Sequence, residues 1–361
     1  MSENQLYSVI IGTGSYIPSR IIKNEDFLDR KFFNKEGERL KKSNQEIIQK
    51  FQEITEIEER RYIEDEYVTS DMAFFAAKEA LSSAQLDKED LDYIIVAHNF
   101  GDVNFDNQKT DILPSLGSRV KYKLKIQNPN CIAYDLPFGC PGWVQGLIQA
   151  NYYIKAGDAK NILVIGAETL SRISDPHDID SMIYADGAGA VVIQAQDSEE
   201  PIGILKHKSR SDTINHAMLL KMGLSYNPDY KDDTLFMKMN GRKLYEYALN
   251  TVPGLVKETL DLAGLEISDI KKILIHQANA KMDDAITKRI LKFYGQKLDP
   301  REIMPMTITK LGNNSVATVP ILLDLLNKKK LEDHQLKSQD HILFASVGAG
   351  MNVNAVLYKV P

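Results

Sequence analysis

Hydrophobic residues in this chain gather into short unbroken runs rather than alternating with polar ones. YIIVAHNF, NILVIGAE and GAVVIQA lie in the first half, and KILIHQA, ILFASVG and VNAVLY in the second. Continuous apolar runs of this length predict strands buried on both faces of a sheet. Between them stand segments with helical spacing, such as VQGLIQANYYIKAG after Cys140 and KMDDAITKRILKFYG after His276. The alternation predicts an α/β architecture. The longest apolar runs, Ile162 to Ala167 and Ala188 to Ile193, fall far short of the roughly 20 residues that cross a bilayer, so no membrane span is expected.

The pattern also repeats. EALSSAQLDKEDLDYIIVAH, from Glu79 to His98, matches ETLDLAGLEISDIKKILIHQ, from Glu258 to Gln277, at an offset of about 180 residues. AKNILVIGAE, ending at Glu168, matches QDHILFASVG, ending at Gly348, at nearly the same offset. Between these, FGCPGW around Cys140 pairs with LGNNSV around Asn313, each a small-residue turn opening a helix. Three correspondences in one order predict two related halves, 1–199 and 200–361, meeting in the polar stretch Gln196 to Pro201. Phe32 to Gln52 and Ser209 to Asp233 read as polar, irregular insertions or lids over a site.

Bulk properties narrow the function classes. A chain of 361 residues exceeds what one core usually organises, which agrees with two halves. The formal charge of −6 opposes nonspecific nucleic-acid binding. Two cysteines, Cys131 and Cys140, are too few for a disulfide framework and lack the paired spacing of a zinc site. The opening MSENQLYSVIIGTG lacks a basic segment followed by an apolar stretch and cleavage site, so a cytoplasmic location is expected.

Candidate chemistry centres on three polar residues. Cys140 lies between a strand-like run and a helix, where the positive end of the helix dipole favours a thiolate; a small buried residue would look the same locally. Cys131, inside the preceding strand, reads as structural. His276 closes KILIH at the carboxyl end of a strand, where ligands gather in α/β sheets. Its counterpart in the other half is Ala97, so the fold does not require a histidine there. Asn313 precedes a helix it could cap, yet the repeat makes its turn the partner of the Cys140 turn. Gly348 and Gly350 follow a buried strand and would let backbone N–H groups approach a ligand, or simply form a tight turn.

In order and spacing these elements resemble the ketosynthase III branch of the thiolase superfamily along essentially the whole chain. The resemblance rests on IIGTGSYIP at Ile10, TEIEERRY at Thr55, DLPFGCPGW around Cys140, DGAGAVV at Asp186, MNGRKLY at Met239, HQAN at His276, GNNSVATVP at Gly312 and VGAG at Val347. It implies the thiolase fold, two duplicated α/β halves packed as five αβαβα layers, and a homodimer. It implies that Cys140 carries the acyl group, while His276 and Asn313 bind the thioester oxygen of a malonyl donor. Backbone amides of Cys140, Gly348, Ala349 and Gly350 would form the oxyanion hole. Leu113, Arg242 and Asn279 would meet the substrate or its phosphopantetheine, and Lys281, Lys288 and Arg289 would dock acyl carrier protein, an acidic partner. The reaction implied is decarboxylative Claisen condensation in fatty-acid or related lipid or polyketide synthesis. It needs no bound metal or redox cofactor, because the phosphopantetheine thioester of the carrier or of coenzyme A does the activating. Non-decarboxylative condensation, ester formation by the same cysteine and a noncatalytic heterodimer subunit remain alternatives.

Some positions depart from that family. Lys50 and Ile179 stand where coenzyme A-primed members carry an adenine-clamping Trp and Arg, and Ile54 replaces a usual Arg. Gly101 to Asp111 is longer than the common pattern, and Leu113 replaces the pocket aromatic before Pro-Ser. A carrier-bound or otherwise unusual acyl donor is therefore favoured over a short acyl-coenzyme A.

Overall fold

The apolar runs become the strands of two mixed sheets in the computed structural model, which describes residues 5–230, 233–331 and 333–361. The first sheet contains β1 (Gln5–Tyr16), β2 (Tyr93–His98), β3 (Ile132–Pro137), β4 (Asn161–Thr169) and β5 (Asp186–Ser198). Their spatial order is β1-β5-β4-β2-β3. After β6 (Gly203–Ser211) comes a separate hairpin of β7 (Leu220–Gly223) and β8 (Phe236–Met239). Then β9 (Ile270–Ile275), β10 (His341–Gly348) and β11 (Asn352–Lys359) join β6 in the order β6-β11-β10-β9.

The two sheets share one plan. In the first, β2 runs parallel to β4, and β5 is antiparallel to both β4 and β1. In the second, β9 runs parallel to β10, and β11 is antiparallel to both β10 and β6. Order and direction correspond strand for strand, except that the second sheet has no equivalent of β3.

Among the described residues, seven helices of nine residues or more complete the layers: α1 (Asn44–Thr55), α2 (Thr69–Ala84), α3 (Leu116–Leu124), α4 (Gly142–Lys155), α5 (Gly241–Asp261), α6 (Ala280–Phe293) and α7 (Thr318–Asn327). α2 and α3 cover the outer face of the first sheet, and α5 and α6 the outer face of the second. α4 and α7 lie between the sheets and share one core with both, giving five layers. Their sequences explain the middle position. Thr318 through Leu326 are all buried, as expected of a helix that is apolar on nearly every face. The exception, Asp324, is accommodated by hydroxyls of Thr13 and Ser15, at 2.8 and 2.5 Å, and by Lys328 at 2.7 Å.

Missing side chains set how closely the middle layer approaches the first sheet. Gly166 and Gly189 are paired across β4 and β5. A Cβ on Gly166 would stand 2.5 Å from the Val316 carbonyl oxygen, and one on Gly189 2.7 Å from Pro320 Cβ. The turn before α7, which carries Asn313, therefore rests directly on the backbone of the first sheet.

The irregular segments are more ordered than their composition suggests. In Phe32 to Gln52 a helix begins at Asn44, because Ser43 and Glu46 form a reciprocal capping box and Ile47 and Ile48 bury one face. Ser209 to Asp233 contains the end of β6 and all of β7, with Lys231 and Asp232 outside the described residues. Among the described residues no helix is long and apolar enough to cross a membrane. Gly166→Ala is expected to cost about 1–3 kcal/mol through overpacking, seen as a lowered thermal midpoint in calorimetry. An unchanged midpoint would contradict the close contact.

Candidate active site

Each sequence-predicted polar residue sits where a strand or helix ends. Cys140 occupies the turn between β3 and α4, closed by a hydrogen bond from Gly142 N to the Gly139 carbonyl at 2.9 Å. His276 directly follows β9, and its backbone N–H donates to Ala345 O at 3.0 Å, extending the ladder to β10. Asn313 is held by the other half: its N–H donates to Ile183 O at 3.0 Å, and its carbonyl accepts from Ala185 N at 2.9 Å.

These constraints bring a thiol from the first half together with an imidazole and a carboxamide from the second. All three line one cavity of about 250 Å³, with Ser315, Gly348 and Ala349 beside them. A second cavity of about 490 Å³ shares Met239, Leu244, Ala278, Met282 and Asn313 with it and reaches the surface past Lys42 and Lys50 of the α1 region. The two form one channel to the sulfur. The loop after β10 presses against the nucleophile turn, since a Cβ on Gly348 would lie 2.7 Å from Cys140 N. Gly350 has φ +75, a left-handed conformation that glycine adopts without strain.

Burial governs the electrostatics. The Cys140 thiol is pushed up to about 11 by desolvation, against the opposing Ser315 hydroxyl at 3.4 Å. Removal from water thus opposes the thiolate that the helix terminus favours. Burial pushes His276 down to about 4, leaving a neutral imidazole at physiological pH. Asn313 Oδ1 accepts the Ser315 N–H at 2.8 Å, which leaves the amide nitrogen as its donor end.

Not every expected residue reaches this channel. Leu113 is 86% exposed on a surface loop and lines neither cavity. Arg242 also misses it: Gly241, Leu244 and Tyr245 of the same helical turn face the mouth, while Arg242 points to solvent and pairs with Glu246 at 3.1 Å. Asn279 does line the mouth, with its Oδ1 capping α6 through Met282 N at 3.1 Å. Lys281 and Lys288 are exposed on α6, and Arg289 is tied to Leu249 O and Asn250 Oδ1 of α5 at 2.8 and 2.7 Å. Cys131 precedes β3 rather than lying within it and is buried, with its thiol pushed up to about 11.

The chain and its fold are similar to known proteins. A family model described as 3-oxoacyl-[acyl-carrier-protein] synthase III matches residues 134–213, and the model of its C-terminal domain matches 260–360. β-Ketoacyl-[acyl-carrier-protein] synthase III 1 of Vibrio vulnificus (strain YJ016) is 34% identical over 98% of this chain and 100% of the relative. The chain belongs to the 3-oxoacyl-ACP synthase III family. The Thiobacillus denitrificans synthase III is 35% identical over 98% of this chain and 99% of its own. The crystal structure of the Aquifex aeolicus VF5 synthase III superposes with a TM-score of 0.79 at 31% identity, covering 98% of this chain and 99% of that one. The fold is thus the thiolase fold of this family, and the chain is a condensing acyltransferase of the synthase III type.

The synthase III site contains residues that the sequence did not single out. Ser315 touches the sulfur, Asn99 and Glu168 stand behind Ser315, and Met222, Met237, Met239 and Met282 line the inner channel. Asn99 and Glu168 sit at the carboxyl ends of β2 and β4, the same positional signal that pointed to His276. In ring-nitrogen NMR, His276 is expected to remain neutral from pH 8 down to about pH 5, given its value of about 4. A midpoint near the ordinary histidine value would contradict its burial.

Proposed function

We propose that Cys140 accepts an acyl group from a carrier thioester, and that His276 and Asn313 then promote decarboxylation of a malonyl thioester in the same channel. The convergence of these three residues on one cavity carries the proposal. In the first step Cys140 Sγ bonds to the acyl carbon and the carrier thiol leaves, a covalent, ping-pong scheme. In the second, the bond between the malonyl methylene and its carboxylate breaks and CO₂ departs. The electron pair left behind forms an enolate whose oxygen needs positioned donors.

A neutral imidazole N–H and the Asn313 amide suit that oxygen, because the charge appears only when the carbon–carbon bond breaks. The enolate carbon then attacks the acyl carbon on Cys140. The tetrahedral oxyanion is held by amides of Cys140 and the Gly348 to Gly350 loop, and its collapse expels the Cys140 thiolate with the new carbon–carbon bond in place.

The mouth favours acyl carrier protein over coenzyme A as the acyl source. Lys50 and Ile179 line it where an adenine clamp would need an aromatic ring and an arginine, and Lys42 and Lys50 supply positive charge for an acidic partner. Lys281 and Lys288 on α6 extend the docking surface. Unbranched methionines around the inner channel adapt to more than one acyl-chain shape. The thioester supplies the activation, so no resident cofactor takes part.

Two packed copies are part of this proposal. β3 is an edge strand with an open hydrogen-bonding side. Ile112, Leu113, Tyr122, Ile132 and Tyr152 are 50% to 86% exposed, an apolar liability that a second copy would cover. Division into halves 1–199 and 200–361, and a cytoplasmic location that keeps the working thiol reduced, complete the picture.

Intact-mass measurement after incubation with acyl-ACPs is expected to show one acyl adduct on the native protein and none on Cys140→Ala; an adduct surviving that change would contradict the nucleophile. His276→Ala and Asn313→Ala should each slow malonyl-ACP decarboxylation by about 10²- to 10³-fold while acylation largely persists. The reverse pattern would count against their roles. Sedimentation equilibrium should return twice the chain mass of 40.7 kDa, and a monomer at micromolar concentration would remove the dimer.

A further inference from the structure

Two methionines that line the inner channel, Met237 and Met239, flank a buried lysine on β8. β7 and β8 form a small sheet of their own, in the register Leu220 with Met239, Lys221 with Lys238 and Met222 with Met237. Side chains alternate across a strand, so Leu220, Met222, Met237 and Met239 share the face toward the channel and Lys238 takes the opposite one. A two-stranded sheet is marginally stable by itself, so what holds this one in place lies outside it.

The Lys238 ammonium is 2.5 Å from the Asp175 carboxylate and 3.3 Å from that of Asp178, with Nζ 3.4 Å from the centre of the Tyr226 ring. Asp175 is fixed in turn by the Ser225 hydroxyl at 2.9 Å and by the N–H groups of Tyr226 and His177 at 2.8 and 3.0 Å. Asp178 caps the short turn Ile179–Met182, accepting from Asp180 N at 3.0 Å. Ile179, Asp180 and Met182 of that turn line the mouth. One ammonium thus ties the wall of the inner channel to the wall of the mouth. Met237 N donates to Ile173 O at 3.0 Å, so backbone and ammonium attach β8 to the same segment at neighbouring points. Apolar residues of similar volume would often hold a strand as firmly as a buried ion pair does. They would not hold it in one register, whereas carboxylates already fixed by backbone N–H groups accept the ammonium in one place.

We propose that Lys238 is the positioning residue of the acyl channel: held between Asp175 and Asp178, it keeps Met237 and Met239 in place and so sets which acyl chains Cys140 accepts. The inference rests on the reading that Cys140 carries the acyl group and that the chain lies in the inner channel. Methionine side chains adapt their shape, so four flexible or branched side chains on a loose hairpin would discriminate poorly between chains. A fixed backbone beneath them gives the channel a defined depth. Lys238 itself lines neither the inner channel nor the mouth, so a substitution there reaches the acyl chain only through the strand.

The test is the rate at which a graded series of saturated acyl-ACPs acylates Cys140, followed by intact mass, in the native protein, Lys238→Met and Asp175→Asn. The carrier arm is the same throughout, so only the acyl chain varies. The native protein is expected to prefer a narrow range of lengths. In Lys238→Met the ratio of the fastest to the slowest chain should fall about 10-fold, within the range by which a hydrophobic pocket separates chains that differ by one methylene. Asp175→Asn, which leaves Lys238 its pair with Asp178, should lower the ratio about 3-fold on the same scale. Loss of support alone would lower the thermal midpoint and slow every chain alike, leaving the ratio where it was. An unchanged ratio in either folded variant, or a native protein that takes all lengths equally, would overturn the inference; if Lys238→Met does not fold, Asp175→Asn decides alone. Acylation that is absent from the native protein, or that survives Cys140→Ala, would instead remove the nucleophile on which the inference stands.

Discussion

Direct backbone contact between the two halves sets the position of every reactive group in this protein. The turn from Asn313 to Val316 rests on β4 because Gly166 has no side chain to keep it away, and the loop at Gly348 rests on Cys140 for the same reason. Hydrogen bonds from Asn313 to both Ile183 and Ala185 then fix that turn to the first half. Duplicated halves alone would bring two helix-opening turns into one region. The glycines bring them to contact distance, so that a hydroxyl from one half touches a sulfur from the other.

Such closeness buries the reacting groups, and burial decides the charge states. Cys140 and His276 are both driven toward neutrality by desolvation, one upward and one downward. A site of neutral donors suits a reaction in which negative charge appears only in passing, on an enolate and then on a tetrahedral oxygen. Preorganised dipoles in a dry cavity stabilise such charges without first having to reorient. The same burial opposes a thiolate at the helix terminus.

Much of this was legible in the chain before any coordinates. Continuous apolar runs located the strands, and the internal repeat paired the Cys140 turn with the Asn313 turn, which the matching sheet orders explain. His276 stood out because Ala97 occupies the equivalent place. Ser315 was hidden within the quoted GNNSV motif, since a serine before a helix reads as a cap until its φ of +51 is seen. Asn99 and Glu168 were obscured because strand-end polar residues are common and only packing tells which of them meet. Leu113 and Arg242, for which family position suggested substrate contact, are turned to solvent in the single chain by their local direction on a loop and on a helix. The helix α1 was masked by its charged outer face.

The central claim is that one channel presents the acyl-bearing sulfur of the first half to the imidazole and carboxamide of the second. A crystal structure of the protein after reaction with an acyl-ACP tests it most directly. Electron density should run unbroken from Cys140 Sγ into the methionine-lined part of the channel, with His276 and Asn313 flanking the open space beside the new thioester. Density on another residue, or an acylated Cys140 whose thioester is walled off from His276 and Asn313, would contradict the account.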